Sequence, residues 1–398
     1  MTGDDEVVAW NMDAGQRWCR ADARIPAVLA WRNATRHRSR FVMTVAGVAA
    51  AVFLMIFQGS LLIGFIHASG RVIDAAGGDL WIVARGVPCF DFPAPLPRRY
   101  LDLARQVDDV IETRPMVAGL SSFVTARGDH RGVVMIGAAR DFAGVLPLPV
   151  RHETQAIDRD GVVVDRSNRM LLDVGMLPVP VEIAGHRAAV VRTVEGFGSF
   201  LGSPYVFGDL PHVRDILGLD ADEVSYGIVF VRHPPATDRH IAALQRRLPN
   251  ADVLTADQFA ARSAWFWLIQ TGAGGAIVVA ALLGLIVGLV IVLQTLYAST
   301  IESLTEFATL KALGASARSI RRFVALQALT IGSLGSAVGL TILEPLASLA
   351  RTWLVSWVET PFWLRVAGAL AGIVISVVAA LSAARTAATV DPMRVLRS

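Results

Sequence analysis

The chain has 398 residues, of which 54% are hydrophobic and 18% are charged, with a formal net charge of +3. Soluble domains carry roughly 25% charged residues, so this composition indicates a membrane protein. A nucleic-acid-binding surface is also excluded, because the long segment from His67 to Arg262 holds 24 acidic and 21 basic residues and therefore no basic excess.

Residues 1–40 are predicted to form a cytoplasmic N-terminus that contains a short amphipathic helix. Pro26 stands where a helix can begin, and Arg32, Arg36 and Arg40 recur every four residues on one face. Such a helix would lie along the inner headgroups. It is interpreted either as an elbow that transmits movement to the first span or as a simple topology anchor.

Four uncharged apolar stretches are long enough to cross a membrane as helices, since a hydrocarbon core of about 30 Å requires roughly 20 apolar residues. The predicted spans are residues 41–66, 272–297, 323–343 and 366–384. The first stretch is too long for the apolar part of a signal peptide and follows forty residues, so we expect it to remain as an anchor.

The distribution of basic residues near the spans predicts the orientation of the chain. Fourteen arginine and lysine residues lie before the first span, between the second and third spans, and in the tail of residues 385–398, whereas the short outer link of residues 344–365 holds two. Both termini are therefore predicted to be cytoplasmic in a multi-pass protein of the bacterial inner membrane. Aromatic residues flank the spans, as expected at a lipid headgroup region.

The segment of residues 67–262 is predicted to be an extracytoplasmic, periplasmic domain of mixed α+β structure, inserted between the first and second spans. Its β-rich runs alternate with amphipathic stretches. The expected strands are Leu80–Val83, Gly132–Ile136, Gly161–Val164, Ala188–Val194 and Tyr226–Val231, and the expected helices are Pro97–Val107, Pro211–Leu217 and Asp238–Leu248. An internal boundary is expected near residues 146–157, which contain two prolines.

Residues 298–322 are predicted to form a cytoplasmic helical hairpin between the second and third spans. Good helix formers precede Gly314, which can end a helix, and Ser316 can cap the next one. A hairpin rigidly joined to two spans can convert a push from a cytoplasmic partner into displacement of those spans. The residues expected to couple to that partner are Glu302, Glu306, Phe307, Leu310, Lys311, Gly314 and Ala315.

The sequence contains no recognisable catalytic, cofactor or metal motif. A Gly-x-x-x-x-Gly-Lys-Ser/Thr phosphate loop is missing, and the only lysine, Lys311, has the wrong context for one. The eight histidines lack metal-ligand spacing, and Asp158–Gly161 resembles only the start of a calcium loop. The chain is therefore predicted to be non-catalytic, without metal or cofactor, and any ATP hydrolysis is expected on a partner chain.

Glycine pairs in the spans predict close helix packing. Gly284 with Gly288, and Gly335 with Gly339, have the small-xxx-small spacing that lets helices approach closely, and a contact between subunits is an alternative use of either pair. Glu344, near the outer end of the third span, is interpreted as interfacial, with a place in a transport route as the alternative.

Four segments together resemble one family of membrane proteins, the FtsX-like or MacB-type ABC transporter permeases, and within it the DevC-type exporter permeases. The resembling segments are the family signature at Glu306–Ala315, the tail at Ala384–Arg397, the N-terminal elbow at Leu29–Asn33 and the first outer strand at Gly78–Val83. Most members carry arginines just before the signature glutamate, whereas Leu304 and Thr305 stand here, as the DevC-type variant tolerates.

The resemblance implies the permease subunit of an ATP-driven exporter, working as a homodimer with an ABC ATPase beneath each copy. It also implies a periplasmic adaptor (membrane fusion) protein and an outer-membrane duct, with a lipid, glycolipid, peptide or similar molecule as cargo. The alternative within the family is a regulatory membrane protein that transmits the conformational change of its ATPase to periplasmic partners and transports nothing. A membrane-anchored enzyme is disfavoured by the empty motif search.

Overall fold

The computed structural model of the chain describes residues 38–139, 160–198, 203–302, 316–353 and 356–388. These residues fold as two compact units. We call the first the helical unit; it takes the described residues up to Ser60, Ala280–Ala347 and those from Thr360 onward. The second, the sheet unit, comprises Leu61–Val279 and Ser348–Glu359. The predicted elbow helix and the proline-containing boundary at 146–157 lie outside the described residues.

Four of the described helices are long and apolar enough to cross a membrane, which confirms the predicted α-helical membrane class. A mixed α and β domain follows the first of them and precedes the second, also as predicted. The helices are α1 (Arg38–Ala76), α2 (Arg99–Arg105), α3 (Leu210–Leu217), α4 (Asp238–Arg247), α5 (Ala256–Trp265), α6 (Gly272–Glu302), α7 (Ala317–Trp353) and α8 (Phe362–Ala388). A single π-helical turn, Phe266–Gln270, connects α5 to α6.

The sheet unit is built on one nine-stranded sheet with the order β11-β1-β10-β3-β4-β8-β5-β7-β6. The strands are β1 (Leu80–Ala84), β2 (Leu96–Pro97), β3 (Val110–Val124), β4 (His130–Ala138), β5 (Gly161–Asp165), β6 (Val179–Ile183), β7 (His186–Val194), β8 (Tyr205–Asp209), β9 (Glu223–Val224), β10 (Tyr226–Val231) and β11 (Ala251–Thr255). The short strands β2 and β9 form a separate pair.

The sheet closes on itself at one end. β6, the last strand in the order, pairs with β3 at Phe123 and Val124. Six strands therefore form a ring, and the apolar side chains of one core cluster, among them Phe123, Met135 and Val206, pack together there. β4 and β5, which lie on either side of the proposed internal boundary, both pair with β8. The boundary therefore does not divide the sheet.

The helices of the sheet unit begin and end with the local signals expected from their residues. α5 starts with a capping box, in which Thr255 Oγ1 accepts from the backbone N–H of Gln258 and the Gln258 side chain accepts from the Thr255 N–H. α3 ends at Gly218, whose φ of 64° is the left-handed conformation that glycine adopts most readily. α3 packs against β3, β4 and β8.

The helical unit has its core around α1. Val48, Ala51, Val52 and Ile56 of α1 are buried against side chains of α6, α7 and α8. The buried polar residues among the described part of this unit carry only hydroxyl groups: Thr44, Ser60, Ser336, Thr360 and Ser376. The part of this unit that the structure describes therefore buries no ionisable side chain.

Candidate functional site

Most of the predicted coupling segment falls outside the described residues. Glu306, Phe307, Leu310, Lys311, Gly314 and Ala315 lie in the undescribed stretch 303–315, and Glu302 is the last residue of α6. On the far side, the backbone N–H of Ser319 donates to Ser316 Oγ over 3.2 Å. The predicted cap of the following helix is therefore confirmed, and the role of the segment stays a prediction.

Glycines let three helices approach α1 closely. A Cβ atom on Gly288 of α6 would lie 3.1 Å from the Ala51 carbonyl oxygen, and one on Gly339 of α7 would lie 2.8 Å from the Ala49 carbonyl oxygen. One on Gly372 of α8 would lie 2.4 Å from Val52 Cγ2. At each of these positions a side chain would force its neighbours on α1 to shift, so the glycines permit the close approach of the helices.

The two glycine pairs noted in the sequence therefore serve packing within one chain. Gly284 faces Gln58 of α1 and Gly335 faces Val48, so all four glycines contact α1 rather than a second subunit. A third pair of the same spacing, Gly368 and Gly372, was missed by the sequence analysis although the same pattern identifies it.

α6 differs from the other long helices in its exposure. Of the residues in its most apolar stretch, 17% are buried, compared with 39% in α1 and α7 and 28% in α8. Leu282, Leu285, Ile286 and Leu289 are each more than a third exposed. In a membrane protein such a face contacts lipid or another protein.

Glu344 of α7 forms an ion pair that the sequence did not reveal. Its Oε2 lies 2.8 Å from Arg365 Nη2 of α8, and Arg365 Nε donates to the carbonyl oxygen of Thr360 over 2.9 Å. The carboxylate is half exposed and neutralised by a residue 21 positions along the chain. This pairing fits the interfacial interpretation of Glu344 better than a place in a transport route.

The C-terminal end of α1 contacts the segment that precedes α8. Glu359 pairs with Arg71 through one carboxylate oxygen and with His67 Nδ1 through the other, at 2.6 Å. The ring of Phe65 packs edge-on against Trp357 with centroids 5.6 Å apart. Gly64 lies so close to the Trp357 carbonyl oxygen that a Cβ there would come within 1.9 Å of it.

A buried carboxylate lies at the junction that leads into α6. Asp91 is 6% exposed, its Oδ1 accepts from the Tyr205 hydroxyl at 2.7 Å, and its Oδ2 accepts from Trp267 Nε1 at 2.8 Å. Burial raises the pKa of Asp91, and the two hydrogen bonds oppose that rise only in part. The sequence analysis missed this site, because its partners are 114 and 176 residues away.

Four aromatic residues pack beside Asp91 as one cluster: Trp81, Phe90, Tyr226 and Phe259. The Tyr226 hydroxyl donates to the carbonyl oxygen of Phe90 at 2.6 Å. The neighbouring Cys89 thiol is fully buried, and burial raises its pKa to about 12, helped by the negative charge of Asp91. This thiol is therefore protonated and unreactive in the folded protein.

Among the described residues, no group of three or more His, Cys, Asp or Glu side chains is placed to hold a metal ion. Asp160, from the segment that resembled a calcium loop, instead lies 3.7 Å from His212 Nδ1, while Asp158 lies outside the described residues. Gly198 packs tightly against the side chains of Ser356 and Ser167.

Comparison with known proteins found one matching family model and several similar proteins. Residues 278–392 match the family model described as the FtsX-like permease C-terminal domain. Two sequences from Mycobacterium tuberculosis, strains CDC 1551 and H37Rv, are each 26% identical over 367 residues, covering 91% of this chain and 97% of theirs; both are described as uncharacterized ABC transporter permeases. The chain is a homologue of ABC transporter permeases with an FtsX-like C-terminal region. The resemblance seen in the sequence is thus confirmed, and the DevC-type assignment stays a prediction.

Two solved structures were also matched by the comparison. The extracellular domain of the noncanonic ABC-type transporter YknZ from Gram-positive bacteria matches at 12% identity and a TM-score of 0.34, covering 44% of this chain and 99% of that domain. The periplasmic region of MacB from Actinobacillus actinomycetemcomitans matches at 11% identity and a TM-score of 0.34, covering 46% of this chain and 92% of that region.

Proposed function

We propose that this permease homologue is the transmembrane subunit of an ATP-driven exporter, in which hydrolysis by a separate ATPase subunit moves the sheet unit. The observation that carries the proposal is the continuity of α1. This helix runs unbroken for 39 residues, with its first part in the helical unit and its part from Leu61 onward in the sheet unit. At 1.5 Å per residue it is about 58 Å long, which is nearly twice the thickness of a hydrocarbon core.

A helix of this kind is suited to carry displacement from one unit to the other. Helices are stiff along their axis, and the outer end of α1 is fixed to the sheet unit by the Glu359 ion pairs and by the close contact of Gly70 with Ala260. Glycines of three helices pack against its residues 48–58. A shift of those helices would therefore be passed to the sheet unit instead of being absorbed in a loop.

The energy would enter through the segment between α6 and α7. We propose that the ATPase binds residues 298–322, with Glu302, Glu306, Phe307, Leu310, Lys311, Gly314 and Ala315 as the contact residues. This proposal is supported by the position of the segment within the FtsX-like match and by the confirmed Ser316 cap. The chain itself carries no phosphate loop, so a partner must bind the nucleotide.

The lining of the helical unit favours a lever over a polar channel. Its buried polar groups, among the residues the structure describes, are hydroxyls. Ser60 and Ser376 donate to carbonyl oxygens of their own helices, and Ser336 donates to the carbonyl oxygen of Ala369 in α8. Such an interior offers no path for a small hydrophilic solute. We therefore propose that the cargo is a lipid, glycolipid, peptide or similar molecule taken up beside the sheet unit.

We further propose that two copies pair through the exposed face of α6, with both termini in the cytoplasm and the sheet unit in the periplasm. Disulfide trapping in native membranes tests the pairing, in a background in which Cys19 and Cys89 are replaced by serine. Leu285→Cys on α6 should form a dimer band, whereas the matched exposed control Val374→Cys on α8 should not. Equal trapping of both variants, or of neither, would contradict this interface. A periplasmic adaptor and an outer-membrane duct would complete the exporter.

Charge reversal at the coupling segment tests the central proposal. Glu306→Arg should abolish co-purification of the ATPase subunit and the stimulation of its ATP turnover, because the reversed charge opposes the expected contact, while membrane insertion is unchanged. Glu182→Arg, an exposed glutamate of the sheet unit, is the matched control and should behave as wild type. Unchanged ATPase association in Glu306→Arg would refute the coupling site.

Cargo accumulation in a deletion strain separates an exporter from a regulator. Deletion of a regulator would give wall or division defects alone.

A further inference from the structure

We propose that Asp91 is a positioning residue that ties the first turn of α6 to β8, so that displacement of the second span reaches the closed ring of the sheet. The inference rests on the proposed function, in which α1 is the first route by which helix movement enters the sheet unit. The contacts of Asp91 would be the second route. It is carried by a continuous series of contacts, all within the sheet unit.

The first contact fixes Trp267 to the start of α6. The Thr271 hydroxyl donates to the carbonyl oxygen of Trp267 and accepts from the backbone N–H of Gly274 over 3.2 Å. A Cβ on Gly274 would lie 1.9 Å from the same carbonyl oxygen. The first turn of α6 and the π-helical turn before it therefore move together, because backbone is packed directly on backbone.

The second contact joins Trp267 to the loop that follows β1. Its indole N–H donates to Asp91 Oδ2 at 2.8 Å, and its ring packs against Phe92 with centroids 5.7 Å apart. The same loop is held from two other elements, since the Phe90 N–H donates to Ser263 Oγ of α5 and the Phe90 carbonyl accepts from Tyr226 of β10. These hydrogen bonds restrain the loop, so we expect it to move together with Trp267.

The third contact carries the displacement into the ring. Tyr205, the first residue of β8, donates its hydroxyl to Asp91 Oδ1 at 2.7 Å. β8 pairs with β4 on one side and β5 on the other, so a shift of Tyr205 is shared by three strands of the ring. Asp91 is the one side chain among those described that bonds to both Trp267 and Tyr205.

The side chain at position 91 must accept a hydrogen bond from Trp267 and must either accept from or donate to Tyr205. Neither hydrogen bond requires a charge. An indole N–H only donates, so Trp267 needs an oxygen opposite it, whereas the Tyr205 hydroxyl can donate or accept. Asparagine meets both demands, because its amide oxygen accepts from Trp267 and its amide N–H₂ donates to Tyr205. Leucine, of similar size, removes the acceptor of the Trp267 indole N–H and the partner of the buried Tyr205 hydroxyl.

A double-mutant cycle on the full chain in lipid nanodiscs tests the inference without any ATPase. Gly274→Ala should displace the Trp267 carbonyl. It should also raise amide hydrogen exchange in the peptide covering Tyr205–Asp209 by roughly tenfold, an effect within the range of interaction energies measured between contacting residues. In a Trp267→Phe background, which keeps an aromatic ring and removes the indole N–H, the same substitution should change that exchange less than twofold. Thr271→Val gives a milder displacement if Gly274→Ala folds poorly.

The same cycle separates a transmitting role from a merely structural one. Asp91→Asn should keep the response of β8 to Gly274→Ala, and Asp91→Leu should lose it, while Gly275→Ala, with no atom within 4 Å of its Cβ, should change nothing in any background. Additive effects of Gly274→Ala and Trp267→Phe, or loss of the response in Asp91→Asn, would overturn the inference. If the cycle is non-additive but Glu306→Arg still binds the ATPase, the coupling site fails and the Asp91 connection stands.

Discussion

The helical unit and the sheet unit are stabilised by different means. Around α1 the helices meet through glycines, and the buried polar groups described there are hydroxyls. The sheet unit instead buries the carboxylates of Asp91 and Asp165, both of which accept hydrogen bonds. The difference reflects the solvent, because the hydrophobic effect does not drive apolar helices together in lipid. Close packing must stabilise their association instead. We therefore expect the helical unit to be sensitive to side-chain volume and the sheet unit to hydrogen bonding as well.

The largest effect is expected from added volume beside α1. Gly339→Leu places a side chain against the Ala49 carbonyl oxygen, where backbone cannot yield, and should cost about 3 kcal/mol or more. The measurement is the thermal unfolding midpoint, with the monodisperse fraction, of the purified full chain. Gly275→Leu is the control, since its Cβ faces open space. Equal stability of the two variants would show that the helices repack freely.

A smaller loss is expected from added volume in the sheet unit. A Cβ on Gly208 of β8 would lie 2.7 Å from Val213 of α3, a side chain that yields more easily than backbone, so Gly208→Val should cost about 2 kcal/mol. Gly132→Val, in β4 and without neighbours within 4 Å, is the control. Denaturant unfolding followed by tryptophan fluorescence measures both. A larger loss than for Gly339→Leu would reverse the order that the comparison predicts.

The smallest effect is a pH dependence at Asp91. Because burial raises the folded-state pKa above 3.8, the proton is bound more tightly in the folded state, and the stabilisation it gives is lost as pH rises through the raised pKa. Asp91→Asn should therefore gain stability relative to wild type as pH rises from about 4 to 7. Thermal midpoints of both proteins across this range give the difference. A difference that shrinks with rising pH would show that the carboxylate is better stabilised by Tyr205 and Trp267 than we infer.

The sequence predicted the parts of the fold that depend on local or compositional signals. Long uncharged runs identified the four helices, and turn residues with β-rich runs located strands such as Tyr226–Val231. The fifteen-residue strand β3 was missed, since Pro115 and Gly119 interrupt its pattern and it is held by pairing to β10, β4 and β6. Pairing between distant strands leaves no local signature.

The candidate sites divide in the same way. Ser316 was recognisable as a cap from its neighbours, and glycine spacing was recognisable as a packing motif, but which helix the glycines face required the structure. The partner of Glu344 and both partners of Asp91 are far away in the chain, so no spacing rule could bring them together. The assignment of the coupling residues from Glu306 to Ala315 comes from resemblance to a family. A resemblance indicates common descent and does not give the positions of side chains.

The burial of Cys89 makes the reactivity of its thiol a measure of whether the sheet unit is folded. Because its thiol is fully buried and burial raises its pKa to about 12, Cys89 does not react with alkylating reagents while the sheet unit is intact. Opening of that unit would expose the sulfur and restore ordinary reactivity. Alkylation at Cys89, distinguished from alkylation at Cys19 by peptide mapping, therefore records in native membranes how often the sheet unit opens.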